Sequence, residues 1–322
     1  MTAGDSPTID ILALGEALVD LISLERGASL DDVDSFKRYL GGAPINVAAT
    51  AARLGRSSAV IARVGHDAFG RFIRSEVRRL QVEDTYLQVD AQRPTTLTFV
   101  ASTIGTPDFL MVRGADAYLQ ATPEPNGIHA TASLAQALAR AKALHVSMNA
   151  LSLEPSRSTA INAIKQAHAA GLVVSLDPNY RSRIGPDEAT LHHLLRELCP
   201  LTTLVKPSLD DAIAIFGPGY SKTEYIKRFQ EYGARRVLLT LGKDGVLVAD
   251  GETHTALLAE QIEVADATGA GDAFTAGVLL ALIEGLDLAT AARLGQRVSA
   301  AKLRAVGHSA LLPSWTMIRD GV

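Results

Sequence analysis

The sequence has little of what marks several large protein classes. Cys199 is the only cysteine among 322 residues, so no disulfide can form within the chain. Lysine and arginine total 31 against 35 acidic residues, which gives no positive surplus for nucleic acid or an anionic membrane. The apolar stretch 275–283 is too short to span a bilayer, and the N-terminus lacks a basic segment followed by an apolar run and a cleavage site. We therefore expect a cytoplasmic protein with no nucleic-acid or membrane partner.

A glycine fingerprint is also missing. The first predicted strand is not followed by Gly-x-Gly-x-x-Gly, whose glycines admit a pyrophosphate, and this argues against a dinucleotide-dependent dehydrogenase. What is present is 47% hydrophobic residues, ample for a core. The length fits either one large α/β domain with an elaboration or two domains.

Apolar strands alternate with amphipathic helices along most of the chain, which predicts an α/β fold. Such alternation implies a parallel sheet with helices on both faces, and ligands bind beyond the carboxyl ends of its strands. The predicted strands are 9–17, 58–64, 144–147, 172–177, 203–206 and 236–241. The predicted helices are 46–54, 67–80, 131–141, 156–169, 188–198, 208–216 and 223–232.

Two hairpins interrupt this alternation. Residues 95–103 and 109–113 are joined by the turn-rich residues 104–108, and with residues 19–24 they predict a small extra sheet. Such a sheet suits a lid that excludes water from a reactive group, although a plain edge hairpin is the alternative. An apolar lid face could also pair with its twin in a homodimer. A second hairpin is predicted from residues 246–249 and 253–257.

The segment 266–272, Asp-Ala-Thr-Gly-Ala-Gly-Asp, lies between a predicted strand at 260–264 and a predicted helix at 273–283. Such a turn exposes backbone N–H groups at Ala270, Gly271 and Asp272, and the helix dipole adds partial positive charge. The segment is therefore a pocket for anionic oxygen. Asp272 either takes the proton from a hydroxyl that attacks a bound phosphoryl group, or is only an acid at a helix start. Spacing alone leaves both interpretations open.

The same segment resembles the signature of the ribokinase-type (phosphofructokinase-B) sugar kinases. Residues 41–48, Gly-Gly-Ala-Pro-Ile-Asn-Val-Ala, resemble that family's N-terminal signature, and matching segments run from about residue 10 to 315. The resemblance implies one ribokinase-like α/β domain over residues 1–322. Its central, mostly parallel sheet would be flanked by helices on both faces, with a small β-sheet lid from about residues 19–40 and 95–115.

The resemblance also implies an ATP-dependent sugar kinase that uses Mg²⁺ and, as in some of its relatives, K⁺. It makes Asp272 the base and assigns the N–H groups of Gly269, Ala270 and Gly271 to the transferring phosphoryl group. Asp20 is either an outward residue of a half-buried strand or an acceptor in a polar pocket, and the resemblance favours the pocket. The residues that it places beside the sugar are Asp20, Gly41, Gly42 and Asn46, and those beside a monovalent cation are Asp266 and Thr268.

Polar or glycine-rich clusters follow the later predicted strands and are expected to converge on one rim of the sheet. The resemblance assigns nucleotide contacts to Lys206, Ser208, Thr240, Gly242, Gly245 and, on a later helix, Gln296. Asp211 would hold Mg²⁺ through water. Two departures stand out: Ser208 replaces the family's asparagine, and Asp211 is one methylene shorter than its glutamate.

Residues 177–181, Asp-Pro-Asn-Tyr-Arg, resemble a motif shared by fructokinases and 2-keto-3-deoxygluconate kinases. Asn179, Arg181 and Arg113 would contact the substrate. The two arginines could hold a carboxylate, hydrogen-bond a neutral ketose, or form surface ion pairs. Met111 stands where keto-acid kinases have a tyrosine, and a thioether cannot donate that hydrogen bond.

We therefore expect a ketose, D-fructose, to be phosphorylated at its terminal hydroxymethyl. The fructokinase-like form Gly-Gly-Ala-Pro-x-Asn supports the same choice. The alternative substrate is 2-keto-3-deoxygluconate. The alternative from another class is a non-catalytic nucleotide- or sugar-binding protein on the same fold.

Overall fold

The computed structural model describes residues 9–27, 29–102, 109–121, 133–304 and 312–321. The strands in these ranges are β1 (Ile9–Leu14), β2 (Leu18–Arg26), β3 (Phe36–Gly41), β4 (Ser58–Gly65), β5 (Leu87–Asp90), β6 (Thr96–Ser102), β7 (Phe109–Val112), β8 (Ala141–Ser147), β9 (Val173–Asp177), β10 (Leu204–Val205), β11 (Arg236–Thr240), β12 (Val246–Asp250) and β13 (Thr253–Leu257). The helices are α1 (Ala43–Arg53), α2 (Ala68–Arg79), α3 (Leu134–Arg140), α4 (Ser156–Ala169), α5 (Glu188–Leu198), α6 (Leu209–Phe216), α7 (Lys222–Glu231), α8 (Ala270–Ile283), α9 (Leu288–Leu303) and α10 (Trp315–Asp320). The predicted turn at 104–108 and the start of the helix predicted from residue 131 lie outside the described residues.

Nine strands form the central sheet in the order β13-β12-β11-β10-β9-β8-β1-β4-β5. The seven from β11 to β5 run parallel. The edge strands β12 and β13 form the predicted antiparallel hairpin. The expected mostly parallel sheet is therefore confirmed, and the carboxyl ends of its parallel strands share one edge.

The helices cover both faces of this sheet because its central strands are apolar on both sides. Along β1, Leu12 and Leu14 join the core cluster that includes α3 to α7, while Ile11 and Ala13 join the clusters under α1, α2, α8 and α9. Each fully buried leucine of this kind contributes about 1.5–3 kcal/mol. α8 and α9 approach closely, since a Cβ on Gly277 would stand 2.9 Å from the Gly295 Cα.

A second sheet, in the order β3-β2-β6-β7, is the predicted small β-sheet. Val19 and Leu40 on one of its faces pack into the core that α1 and α2 cover. Because side chains alternate along a strand, Asp20 lies on the opposite face, opposite Tyr39 of β3 and Thr98 of β6. This sheet thus presents a polar face away from the core.

The structure corrects one predicted element, extends one and adds one. Residues 260–264 form no strand, because no strand of the described residues lies beyond β13 to pair with them, and the segment instead lines a cavity. The following helix begins at Ala270 rather than at residue 273. The short strand β5, which pairs with β4, was not predicted. No helix in the described part of the chain is long and apolar enough to cross a membrane.

Candidate active site

Two distant parts of the chain meet at the start of α8. Asn46, in the first turns of α1, donates a hydrogen bond from Nδ2 to Oδ2 of Asp272, at 2.8 Å across 226 positions of sequence. Among the described residues, no side chain or backbone group donates to the other oxygen of this carboxylate. The structure therefore holds Asp272 in one orientation and leaves Oδ1 for a ligand.

The environment of Asp272 changes its acidity. Burial raises the pKa of its carboxyl to about 7, with the charges of Asp177 and Glu16 acting in the same direction. The Asn46 hydrogen bond and the Lys206 ammonium act in the opposite direction. A carboxylate whose pKa lies near neutral pH is suited to accept a proton from a substrate and then release it.

The turn before α8 presents backbone N–H groups. Gly269, the residue before the helix, has a left-handed backbone with φ 73°, which a side chain would strain. The N–H of Ala270, predicted to contact the phosphoryl group, instead donates to the Ala267 carbonyl of the preceding loop at 3.2 Å. For the N–H groups of Gly271 and Asp272, the described residues supply no acceptor. These two N–H groups and the helix dipole are of the kind that can bind an anion.

A buried lysine lies beside this helix start. The Lys206 ammonium forms an ion pair with Asp177 at 2.9 Å, and both side chains are 5% exposed. It also stands 3.6 Å from where a Cβ on Gly271 would be. An anion bound at the helix start would therefore meet a fixed positive charge as well as the N–H groups.

The polar face of the small sheet meets the loop before α1. A Cβ on Gly41 would overlap the Asp20 carboxylate, and one on Gly42 would overlap the Glu16 carbonyl oxygen, so both glycines permit close packing here. Burial, and secondarily the charge of Glu16, raises the pKa of Asp20 to about 6. The neighbouring Thr98 hydroxyl is buried, and its oxygen has no hydrogen-bond partner among the described residues. Asp20 and Thr98 together offer a partly satisfied polar surface for hydroxyl groups.

Glu16 is a buried acid that sequence reasoning missed. Its carboxylate accepts hydrogen bonds from the Ala43 N–H and the Ser147 hydroxyl, both at 2.9 Å. Burial raises the pKa of Glu16. By binding the first N–H of α1, Glu16 fixes the helix that carries Asn46. An acid directly after a buried strand and a glycine was the available signal.

The arginines predicted to contact substrate are both engaged within the protein. Arg113 pairs with Asp116 at 3.1 Å and donates to the Ser152 hydroxyl and the Asn149 carbonyl. Arg181, half-exposed, pairs with Asp211 at 3.1 Å. The sequence left three interpretations open for these arginines, and the structure shows the ion-pair interpretation for both Arg113 and Arg181.

Asn179 lies beside the buried Lys206–Asp177 pair. Its N–H donates to Asp177 Oδ1 at 3.1 Å, and its backbone has a positive φ of 32°. A positive φ is uncommon for a residue other than glycine and is enriched in asparagine. The loop after β9 thus turns sharply at the edge of the site.

A cavity of about 410 Å³ lies against the α8 start, and Asp20 is not among the residues that line it. Its walls include Thr240, Gly242, Gly245, Gly271 and Gln296. Its size is within the usual range of small-molecule sites. Gln296 donates to the Leu257 and Leu258 carbonyls at 3.3 and 3.1 Å, so its amide also secures the chain after β13.

Ser208 and Asp211 form the capping box of α6. The Ser208 hydroxyl accepts from the Asp211 N–H at 3.0 Å, and Asp211 Oδ2 accepts from the Ser208 N–H at 2.9 Å. Ser208 also forms an isolated β-bridge with Thr240, the last residue of β11. With Arg181 on Oδ1, both oxygens of Asp211 have protein partners.

Asp266 and Thr268, predicted near a monovalent cation, lie in the loop before the α8 start. Asp266 Oδ1 accepts from the Thr268 N–H at 2.9 Å. Its Oδ2 accepts from the Lys302 ammonium at 3.1 Å. An ammonium therefore already occupies part of the predicted cation position.

Comparison with known sequences decides the family. The sequence profile described as "pfkB family carbohydrate kinase" matches residues 8–315. The chain belongs to the pfkB family of carbohydrate kinases. The resemblance drawn from residues 41–48 and 266–272 is thus confirmed.

Individual members of the pfkB family align over nearly the whole chain. An ATP-dependent 6-phosphofructokinase of Thermoanaerobacterium thermosaccharolyticum is 35% identical, over 98% of this chain and 94% of its own. The fructokinase of Escherichia coli is 34% identical, over 94% of this chain and 96% of its own.

Solved pfkB structures share the fold. A fructokinase of Halothermothrix orenii aligns with TM-score 0.77 and 34% identity, over 92% of this chain and 99% of that one. A double-mutant fructokinase of Vibrio cholerae, solved with fructose, ADP and a potassium ion, aligns with TM-score 0.79 and 28% identity, over 98% of this chain and 99% of that one. The expected ribokinase-like architecture is confirmed.

Proposed function

We propose that this pfkB protein transfers the γ-phosphoryl group of ATP to the terminal hydroxymethyl of a ketose, D-fructose. The observation that carries the proposal is the Asp272 carboxylate, oriented by Asn46 with a pKa of about 7, beside two N–H groups that lack protein acceptors. A base and an anion site a single residue apart suit transfer of a phosphoryl group to a hydroxyl.

In this proposal each group has one task. Asp272 Oδ1 accepts the proton of the sugar hydroxyl while that oxygen forms a bond to the γ-phosphorus. The bond between the γ-phosphorus and the β,γ-bridging oxygen breaks, and ADP leaves with that oxygen. The N–H groups of Gly271 and Asp272, with those of Gly269 and the nearby turn, stabilise charge on the transferring oxygens. Lys206, fixed by Asp177, adds a positive charge at the same place.

Mg²⁺ is the metal that we propose for this site, where it would neutralise the charge of the nucleotide phosphates. Within the described ranges, no group of three or more histidine, cysteine or acidic residues is placed to hold a metal ion. Mg²⁺ is commonly held by substrate phosphates and water with few protein ligands, so a site that offers few protein ligands, such as Asp211, fits this metal. Asp211, whose oxygens already have partners, would act through a bound water.

The nucleotide is assigned to the 410 Å³ cavity because it opens at the α8 start. The sugar is assigned to Asp20, Thr98 and Asn46 on the other side of Asp272. A fructokinase relative holds fructose and ADP together, which supports two adjacent sites. The small sheet then covers the sugar as a lid and limits transfer of the phosphoryl group to water.

A neutral ketose fits the charges of this site better than a sugar acid. A keto acid needs a cation for its carboxylate, but Arg113 pairs with Asp116 and Arg181 with Asp211. Asp20 would also repel a nearby carboxylate. The fructokinase relatives agree with this choice.

Fructose 6-phosphate is the second candidate acceptor. One relative, matched over 98% of this chain at 35% identity, is an ATP-dependent 6-phosphofructokinase. On the lid, Lys37 pairs with Ile22, two residues from Asp20, and therefore lies on the same face as Asp20. Its exposed ammonium is the cation available there for a sugar phosphate.

The experiment is a comparison of kcat/KM for D-fructose, 2-keto-3-deoxygluconate and fructose 6-phosphate on one preparation with ATP. We expect fructose to give the highest value, and activity to vanish with EDTA and return with Mg²⁺. A value for either other acceptor at least about tenfold higher, near 1.4 kcal/mol of transition-state binding, would replace fructose as the substrate. If none of the three acceptors supports ADP formation, a non-catalytic binding protein is favoured.

Gly245→Val is expected to raise KM for ATP far more than KM for the sugar. Gly245 has φ 96°, and a Cβ there would overlap the Leu257 carbonyl oxygen and stand 2.8 Å from Ala259 N. The side chain would therefore displace the turn that lines the cavity, rather than only block the nucleotide's approach. Steady-state kinetics with each substrate varied in turn measure the effect.

Gly251→Val is the matched control for this prediction. Gly251, in the turn between β12 and β13, also has a positive φ, of 56°, but a Cβ there would meet no atom within 4 Å. The backbone alone strains both substitutions, by about 1–3 kcal/mol. Equal changes in KM for ATP in the two variants would mean that the nucleotide turn lies elsewhere.

Two further sequence predictions remain proposals. We propose that the lid carries a homodimer contact, since Leu110 and Val112 of β7 are 56% and 47% exposed. Sedimentation of the wild type against Leu110→Glu tests this contact. We also propose a cytoplasmic location, which cell fractionation would test.

A further inference from the structure

Lys302 is a buried cation that the proposed chemistry does not use. It lies in the last turn of α9, and the whole residue is 6% exposed. Its ammonium donates to Asp266 Oδ2 at 3.1 Å and to the Asp266 carbonyl oxygen at 3.3 Å. The helix dipole stabilises a lysine at the C-terminus of a helix even when that lysine is exposed. The dipole therefore does not explain why Lys302 is buried.

The loop that Lys302 contacts leads directly to the anion site. The N–H of Ala265 donates to the Leu303 carbonyl at 2.8 Å, which ties the loop to the end of α9. Asp266 then accepts from the Thr268 N–H at 2.9 Å, and Gly269 and the α8 start follow. Lys302 therefore sets the position of Asp266, and Asp266 shapes the turn that presents Gly271 and Asp272.

The predicted monovalent-cation site does not fit an additional ion. Two Asp266 oxygens that would bind K⁺ already accept from an ammonium, and a second positive charge beside it would be repelled. An ammonium and K⁺ both bind carboxylate and carbonyl oxygens through charge. A lysine can therefore supply permanently what a bound ion supplies reversibly.

We propose that the Lys302 ammonium takes the place of a monovalent cation beneath the phosphoryl-binding turn, so that this protein works without K⁺. Lys302 is thus a positioning residue that acts through Asp266. The fructokinase relative solved with a potassium ion makes the contrast testable. The activity measurements that test this inference rest on the proposed kinase function, but the Tm measurement does not.

The first test uses the wild-type protein. kcat and KM are measured in KCl and in choline chloride at the same ionic strength, about 0.1 M. We expect the values to agree within about twofold, a change in barrier well below 1.4 kcal/mol. Stimulation by K⁺ of about tenfold or more would overturn the inference. Absence of sugar-dependent ADP formation in both salts would instead contradict the proposed function.

The second test removes the ammonium in two ways. Lys302→Ala leaves room for an ion, whereas Lys302→Met removes the charge but fills much of the space. Without K⁺ both variants are expected to lose about tenfold or more in kcat, equivalent to about 1.4 kcal/mol. KCl should restore Lys302→Ala and not Lys302→Met. A loss in Lys302→Ala that KCl does not restore, or no loss, would overturn the inference.

The third test needs no activity. KCl, relative to choline chloride, is expected to raise Tm of Lys302→Ala and to leave Tm of the wild type unchanged. Lys165→Ala is the control, because Lys165 pairs with Glu197 on the surface at 2.7 Å, and its Tm should not respond to K⁺. Equal responses of Lys302→Ala and Lys165→Ala would overturn the inference. If neither Lys302 variant folds, the wild-type comparison of salts decides alone.

Discussion

Asp272→Asn is expected to lower kcat by about 100- to 10,000-fold, the range typical of a lost general base. The amide cannot take up the hydroxyl proton, yet it keeps the shape of the carboxylate beside Asn46. Calorimetry should find ATP affinity nearly unchanged, since Asp272 does not line the cavity proposed for the nucleotide. Activity within about threefold of wild type would remove Asp272 from the role of base.

The same substitution is expected to stabilise the folded protein above neutral pH. Since burial raises the pKa of Asp272 from 3.8 to about 7, the folded protein retains a proton that the unfolded chain has lost between those pH values. The stability of the wild type therefore falls as pH rises through this window. Asp272→Asn cannot ionise and does not lose this stability. Its free energy of unfolding should therefore exceed that of the wild type by about 1–4 kcal/mol above pH 7, with no such gain below about pH 4.

The wild-type rate should follow the same titration. The carboxylate of Asp272 is the active form, so kcat/KM is expected to rise with pH and to level off above about 7. Thermal melts and rates across pH, on the wild type and Asp272→Asn, measure both effects. A melting temperature of the variant that tracks wild type at every pH would show that the pKa of Asp272 is not raised in the folded protein.

Asp20→Ala is expected to lower kcat/KM for fructose by about 100-fold and to leave ATP affinity nearly unchanged. Asp20 is buried enough for its pKa to rise to about 6, and in the proposed site it accepts hydrogen bonds from sugar hydroxyls. Removing one partner of a buried polar pair costs about 1–3 kcal/mol. Sugar binding by calorimetry, with a non-hydrolysable nucleotide present, measures the loss.

Asp31→Ala is the control for Asp20. Asp31 lies in the same stretch of chain, before β3, but is exposed, so its removal should change neither substrate's affinity. Sugar affinity that survives Asp20→Ala would return Asp20 to the alternative that the sequence left open, an outward residue on a half-buried strand. Thr98→Val then tests the neighbouring hydroxyl without altering the charge of the lid.

The sequence pattern predicted most of the fold because apolar periodicity reports burial. β1 is apolar on both faces, and α5 was predicted with the bounds that the structure has, Glu188–Leu198. The failure at residues 260–264 has the same origin. Alternation marks an extended, half-buried segment, but a strand also needs a neighbour with free backbone groups, and the part of the chain that the structure describes has none beyond β13.

The site was predictable where one segment carries its chemistry and not where distant residues combine. The α8 start could be found in residues 266–272, but Glu16 acts through Ala43 and Ser147, and Lys302 acts through Asp266. Such pairings depend on the packing of whole elements. For the same reason the sequence left Arg113 as a candidate for substrate, whereas packing pairs it with Asp116.

The most direct measurement is ADP and fructose phosphate formed together by the wild type and by Asp272→Asn, with ATP, Mg²⁺ and D-fructose. We expect one fructose phosphate for each ADP in the wild type, with the phosphoryl group on the terminal hydroxymethyl by ³¹P NMR. We expect the variant to form neither product while it still binds ATP. ADP formed at the same rate without sugar, or equal product from the variant, would rule out phosphoryl transfer to fructose with Asp272 as the base.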